Sequence, residues 1–176
     1  MPRVIRPARY CGFAADQTRS FKGACDMSNP ILNAIKIQSK VVIPIVRELE
    51  KEIGKERAHA LVGRAIAGAY VDYRKRRGFE ANSHPRVEQE GEDAFPVERE
   101  VIDDTEESYG YNITGCLFAE YFRSIGEPEI GALMTCGVDF AAEDLIRPNW
   151  EFERTQTRMQ GASHCDFRWR KGASDG

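Results

Sequence analysis

The stretch YGYNITGCLFAEYFRSI, residues 109–125, decides the fold class because its pattern changes halfway. Residues 109–114 read as a short strand rich in aromatic and β-branched side chains. After Gly115, residues 116–125 read as a helix, stopped by Gly126-Glu127-Pro128. Working outward, residues 97–103 form a second short strand, joined to the first by the polar turn 104–108. A second short helix is expected from Glu129 to about Cys136. Two further strands, residues 150–159 and 164–170, close the chain, with Gly161 in their turn.

Upstream, Ser28 or Asn29 as cap and Pro30 in the first turn mark a helix start. Ile31, Leu32, Ile35, Val42, Ile45, Val46, Leu49 and Ile53 then recur at three- and four-residue steps, as an amphipathic helix requires. Pro44 is expected to kink this helix or split it near Lys40. Gly54 ends it. Residues 55–77 form a second helix closed by the basic run Arg74-Lys75-Arg76-Arg77 and Gly78, where the cations complement the helix dipole. The expected fold is therefore α+β: an N-terminal helical hairpin (27–78), an exposed linker (79–96), and a small antiparallel sheet with two short helices packed on it (97–171). Residues 1–26 show neither helical nor strand periodicity and read as a disordered leader ahead of a single domain over 27–176.

Composition narrows the function classes. The 176 residues carry a formal net charge of -3 with 30% charged residues, so no polyanion-binding surface is evident and nucleic acid is not an expected partner. The longest apolar run, Val41 to Val46, contains Pro44 and is far shorter than the roughly 20 residues of a membrane span, so no membrane partner is expected. Residues 1–26 have no apolar signal core, and the expected compartment is the reducing cytoplasm. There, five cysteines read as thiols, ligands or nucleophiles rather than a disulfide framework. A homo-oligomer is left open.

Three cysteines carry the candidate chemistry. Cys116 falls at the start of a helix, where unpaired N–H groups and the dipole are expected to lower its pKa and make it a nucleophile; the alternative is a small buried core residue. Cys136 and Asp139 lie one turn apart, while Glu143 and Asp144 read as solvated carboxylates. In the closing strand SHCDFRW, alternation puts Cys165, Phe167 and Trp169 on an inward face and His164, Asp166 and Arg168 on the other. No cysteine pair has zinc-finger spacing, but the isolated thiols could converge on a divalent metal, with His59 or His84 as a nitrogen ligand, although His84 reads as exposed.

Through these residues the chain resembles the L-2-amino-thiazoline-4-carboxylate hydrolase family, in the segments YGYNITGCLFAEYFRSIGEPEIG, CGVDF and RTQTRMQGASHCDFRW and in the helical NAIKIQSKVVIPIVRELEKEIGKERAHALV. The ordered set is Cys116, the Cys136 and Asp139 pair, Arg158 or Arg154, and Cys165-Asp166-Phe167. The resemblance implies ring-opening hydrolysis of a small cyclic amidine or thiazoline, such as 2-amino-thiazoline-4-carboxylate, toward a carbamoyl-cysteine. Such a reaction needs attack on the carbon between sulfur and nitrogen, a proton for the leaving atom and a cation for the substrate carboxylate. The expected roles are Cys116 as nucleophile, Asp139 and His164 in acid-base catalysis, and Arg158 or Arg168 on the carboxylate. Cys136, Cys165 and Asp166 support the site, the first two with or without a divalent metal. The alternatives from other classes are a non-catalytic small-molecule or metal sensor and a structural partner in a larger assembly.

Overall fold

A computed structural model describes residues 3–5, 29–86 and 95–172. Helices α1 (Pro30–Ile53) and α2 (Lys55–Arg77) form the hairpin, turning at Gly54, whose φ of 82° is open to glycine. The Asn29 side chain caps α1 by accepting the Leu32 N–H at 2.9 Å. Pro44 neither splits nor ends α1, which runs unbroken through it. The proline is exposed, so the Lys40 carbonyl that it leaves without a helical donor lies on the solvent side of the helix.

The sheet is antiparallel with order β1-β2-β3-β5-β4 among the described residues: β1 (Arg3–Ile5), β2 (Val97–Asp104), β3 (Ser108–Cys116), β4 (Trp150–Glu153) and β5 (Cys165–Lys171). Arg3–Ile5 fall within the expected leader and pair along β2; the rest of that expectation lies outside the described residues. Register sets Tyr109, Tyr111 and Ile113 of β3 opposite Trp169, Phe167 and Cys165 of β5, so one face becomes a continuous aromatic layer. Tyr111 and Phe167 stack at 5.0 Å between centroids.

After β3 the chain enters α3 (Leu117–Ser124) directly, then α4 (Pro128–Gly131), a π-helical turn (Ala132–Cys136) and α5 (Val138–Ile146). The expected helix over 129–136 is thus an α-turn and a π-turn, and α5 is an element that the sequence reading left out. A second core joins α1 to α3 and α4 through Leu32, Val46, Phe118, Phe122, Ile130 and Met134. Gly131 lies so close that an added Cβ would stand 2.4 Å from Cγ of the fully buried Phe122. Gly131→Ala is expected to lower stability by about 1–3 kcal/mol through overpacking, measurable as a shift in denaturant midpoint.

The expected strand over 150–159 stops at Glu153, and its continuation includes a 3-10 turn, Arg158–Gln160, that closes on Gly161 at φ 101°. The linker is less exposed than expected. His84 bonds the Thr105 carbonyl at 2.7 Å and meets Tyr109 and Trp150 edge to face, and Pro85 is fully buried. Residues 87–94 of that linker lie outside the described residues. No helix among the described residues is long and apolar enough to cross a membrane.

Candidate active site

Cys116 stands where the two cores meet: it packs against both the aromatic face of the sheet and the helical core. It is the last residue of β3 and the N-cap of α3, and its Sγ accepts the Ala119 N–H at 3.4 Å. The helix start was expected to lower its pKa. Burial outweighs that effect, and the thiol is pushed up to about 11 despite backbone donors at Ala119 and Phe118. The resting group at neutral pH is a thiol, not a thiolate.

Cys136 ends the π-turn, in which Gly137 N–H reaches the Ala132 carbonyl at 2.7 Å. Such a turn widens the helix locally and is frequent at functional sites. Burial pushes the Cys136 thiol up to about 12, with Asp139 raising it further and Arg154 opposing. Cys165 occupies the inward face of β5, as alternation predicted, and its Sγ accepts the Arg158 backbone N–H at 3.2 Å. Burial raises this thiol too.

The three thiols share one neighbourhood. Cys116 is close enough to Cys165 and to the Arg158 guanidinium to feel their charge, and Cys136 is similarly close to Cys116, Asp139 and Arg154. Cys165 in turn feels Arg154, Asp139 and Arg158. The charged anchor of this group is an ion pair. Arg154 donates to the Asp139 carboxylate and, through its other terminal nitrogen, to the Cys136 carbonyl at 3.0 Å. Its side chain is only 8% exposed, and its guanidinium lies over the rings of Phe140 at 5.1 Å and Phe167 at 5.3 Å. Burial raises the Asp139 carboxyl to about 6, against the pull of Arg154. A carboxyl poised there can exchange protons near neutral pH.

Sequence reasoning named Arg154 only as an alternative to Arg158 in the ordered set, without a role of its own, and took Glu143 as solvated. The signal for Arg154 is parity: along Trp150, Phe152 and Arg154 it falls on the inward side, where a cation needs a partner. Glu143 is held by Arg147 at 2.8 Å and accepts Trp169 Nε1–H at 2.8 Å, tying α5 to β5, whereas Asp144 is exposed as expected. The apolar spacing of Val138, Ala141, Ala142 and Leu145 could have revealed α5.

Arg158 belongs with the thiols. Its Nη1 donates to the Ser163 carbonyl at 2.6 Å, while its Nε is buried without a hydrogen-bond partner among the described residues. Asp166 and Arg168 occupy the alternate positions of β5, and His164 lies one residue before the strand, which starts at Cys165 rather than at the expected 164. His164 pairs with Gln156 and Ser163 at 3.0 and 2.9 Å. Asp166 accepts from the Thr155 hydroxyl at 2.5 Å and from the Thr155 and Gln156 backbones at 3.0 and 2.8 Å; burial works to raise its carboxyl, but the hydroxyl first and the backbone donors with it hold it low. Arg168 spends its guanidinium on the Tyr111 and Phe167 carbonyls and on Asn112. The contacts of these three fasten the loop after β4 and the outer side of the sheet, and none reaches a thiol.

A surface depression of about 380 Å³ is lined by Arg123, Gly126, Pro128, Met159, Gln160 and Gly161, and no thiol lines it. Among the described residues no group of three or more His, Cys, Asp or Glu side chains is placed to hold a metal ion. His59 instead pairs with Glu50 at 2.6 Å, and His84 holds the linker.

Fold and site together define an α+β protein in which three free cysteines lie near a carboxylate–guanidinium pair. The chain belongs to the L-2-amino-thiazoline-4-carboxylic acid hydrolase family, whose sequence model matches residues 34–169. The family is thus one named for a hydrolase. No curated protein and no solved structure matches the chain.

Proposed function

We propose that the chain hydrolyses 2-amino-thiazoline-4-carboxylate or a closely similar cyclic amidine, with Cys116 as nucleophile. The observation that supports this most is the convergence of Cys116 with Arg158 and of its neighbouring thiols with the Asp139 and Arg154 pair, in a chain of this family. A protonated thiol suits such a substrate. The ring contains a basic C=N group, so the Cys116 sulfur bonds to the carbon between ring sulfur and ring nitrogen while its proton passes to that nitrogen. The ring C–S bond then breaks, because a thiolate leaves more readily than an amine. The departing sulfur takes up a proton from the exocyclic nitrogen, and an isothiourea remains on Cys116. Asp139 takes a proton from water as its oxygen attacks this carbon, and that proton is passed to the isothiourea nitrogen. Loss of the Cys116 sulfur, which recovers a proton from the new hydroxyl, frees N-carbamoyl-cysteine. Arg158 holds the substrate carboxylate.

The reading is tested by incubating purified protein with the aminothiazoline acid. One new free thiol and one carbamoyl group should appear per molecule consumed. Binding without turnover, across a panel of thiazolines and cyclic amidines, would sink the enzyme reading and favour a sensor.

A further inference from the structure

The aromatic layer of the sheet contains a polar group that the scheme above does not use, the hydroxyl of Tyr111. Tyr111 lies on the inward face of β3 and is only 5% exposed. Three groups hold its ring: Phe167 stacks on it at 5.0 Å, Trp169 meets it at 5.3 Å, and the Arg99 guanidinium lies over it at 5.1 Å. Trp169, in the same layer, donates Nε1–H to Glu143, and the Tyr121 hydroxyl shares a 2.8 Å hydrogen bond with Ser39. The Tyr111 hydroxyl makes no hydrogen bond to another described residue. A buried phenol without a partner costs free energy that phenylalanine would avoid at the same position, so its hydroxyl points to a partner that the folded chain does not supply.

Two of the ring contacts lead to the acid-base pair. Phe167 also lies beneath Arg154 at 5.3 Å, and Arg154 holds Asp139. Trp169 holds Glu143, one helical turn after Asp139 on α5. The phenol is accordingly near enough to both carboxylates to feel their charge. Burial raises its pKa, Arg99 opposes, and Asp139 and Glu143 add to the rise, so the group is a hydrogen-bond donor at neutral pH.

We propose that Tyr111 is a further catalytic residue, whose hydroxyl donates a hydrogen bond to the oxygen of the water that Asp139 deprotonates. The assignment rests on the reading of the chain as a hydrolase with Cys116 as nucleophile. In the second half of that reaction the water gives a proton to Asp139 while its oxygen bonds to the isothiourea carbon, and electron density builds on that oxygen. A donor fixed there holds the water in line with Asp139 and binds its oxygen more strongly as the charge develops. The phenol keeps its own proton throughout. Attack by Cys116 and opening of the ring do not involve it.

Tyr111→Phe keeps the stacked ring and separates the two halves. The variant should consume one equivalent of the aminothiazoline acid in a burst, then turn over about tenfold or more slower than wild type. At acid quench a larger fraction of the protein than in wild type should carry the substrate mass. Its denaturant midpoint should be unchanged or higher, because the hydroxyl holds nothing in the fold. Wild-type kinetics in Tyr111→Phe, or slower turnover without accumulation of the adduct, overturn the proposal. So does a lowered midpoint, which would give the hydroxyl a structural role. A wild type that consumes no substrate and forms no adduct fails at the hydrolase reading itself, and the assignment falls with it.

Discussion

Cys116→Ala is expected to lower turnover of the aminothiazoline acid by about a thousandfold or more, because a covalent route has no substitute for its nucleophile. The fold should survive the change. Cys116 contributes a small buried atom between two cores and one long cap contact at 3.4 Å, so the stability loss should be about 1 kcal/mol, small beside a domain's total. Cys136→Ala and Cys165→Ala remove the other two thiols of the same group and should retain far more activity. The covalent route adds a second readout. Acid quench during turnover should trap protein heavier by the whole substrate mass, since ring opening expels no atom, and this species should be absent from Cys116→Ala. Full activity in Cys116→Ala would remove the nucleophile from the mechanism outright, and a larger loss at Cys136 or Cys165 would move it there.

The inward face of β5 was legible because strand alternation needs only local sequence: Cys165, Phe167 and Trp169 are all buried. The helix start at Cys116 was equally local, read from Gly115 and the change of period. What escaped depends on pairings across the chain. Whether a thiol at a helix start ionises easily is decided by how deeply two cores enclose it, and burial overrode the dipole at Cys116. Glu143 reads as a surface carboxylate until Trp169 and Arg147, 26 and 4 residues away, are seen to hold it. The π-turn before Cys136 has no clear sequence mark. Asp139 was legible from its spacing to Cys136, but its partner Arg154 is brought to it only when the strand after α5 folds back along the sheet.

Arg154→Met is expected to shift the pH profile of kcat/KM and to destabilise the fold by about 3 kcal/mol, the largest structural effect foreseen. The guanidinium fills the space between Phe140 and Phe167 and donates to both Asp139 and the Cys136 carbonyl, so its loss leaves a carboxylate and a carbonyl without their donor. The sign of the pH effect follows from Asp139. Its carboxyl titrates near 6 in the folded protein, raised by burial from 3.8, so as the general base it is active above that value. In the wild type kcat/KM should therefore rise from pH 5 to 7 and level off. The Cys116 thiol ionises only near 11, so no further tenfold gain per pH unit is expected above neutrality, as a preformed thiolate would require. Arg154 lowers the Asp139 pKa by charge and by hydrogen bonding, and without it burial and the Glu143 charge raise it unopposed. The inflection should move above 6, and Asp139→Asn should abolish it together with most of the activity. Stability carries the same sign. A folded-state pKa above the unfolded one makes the contribution of Asp139 fall as pH rises from about 4 to 6, and in Arg154→Met this decline should extend to higher pH. An inflection that stays in place in Arg154→Met, in protein shown by circular dichroism to be folded, would separate the catalytic base from Asp139.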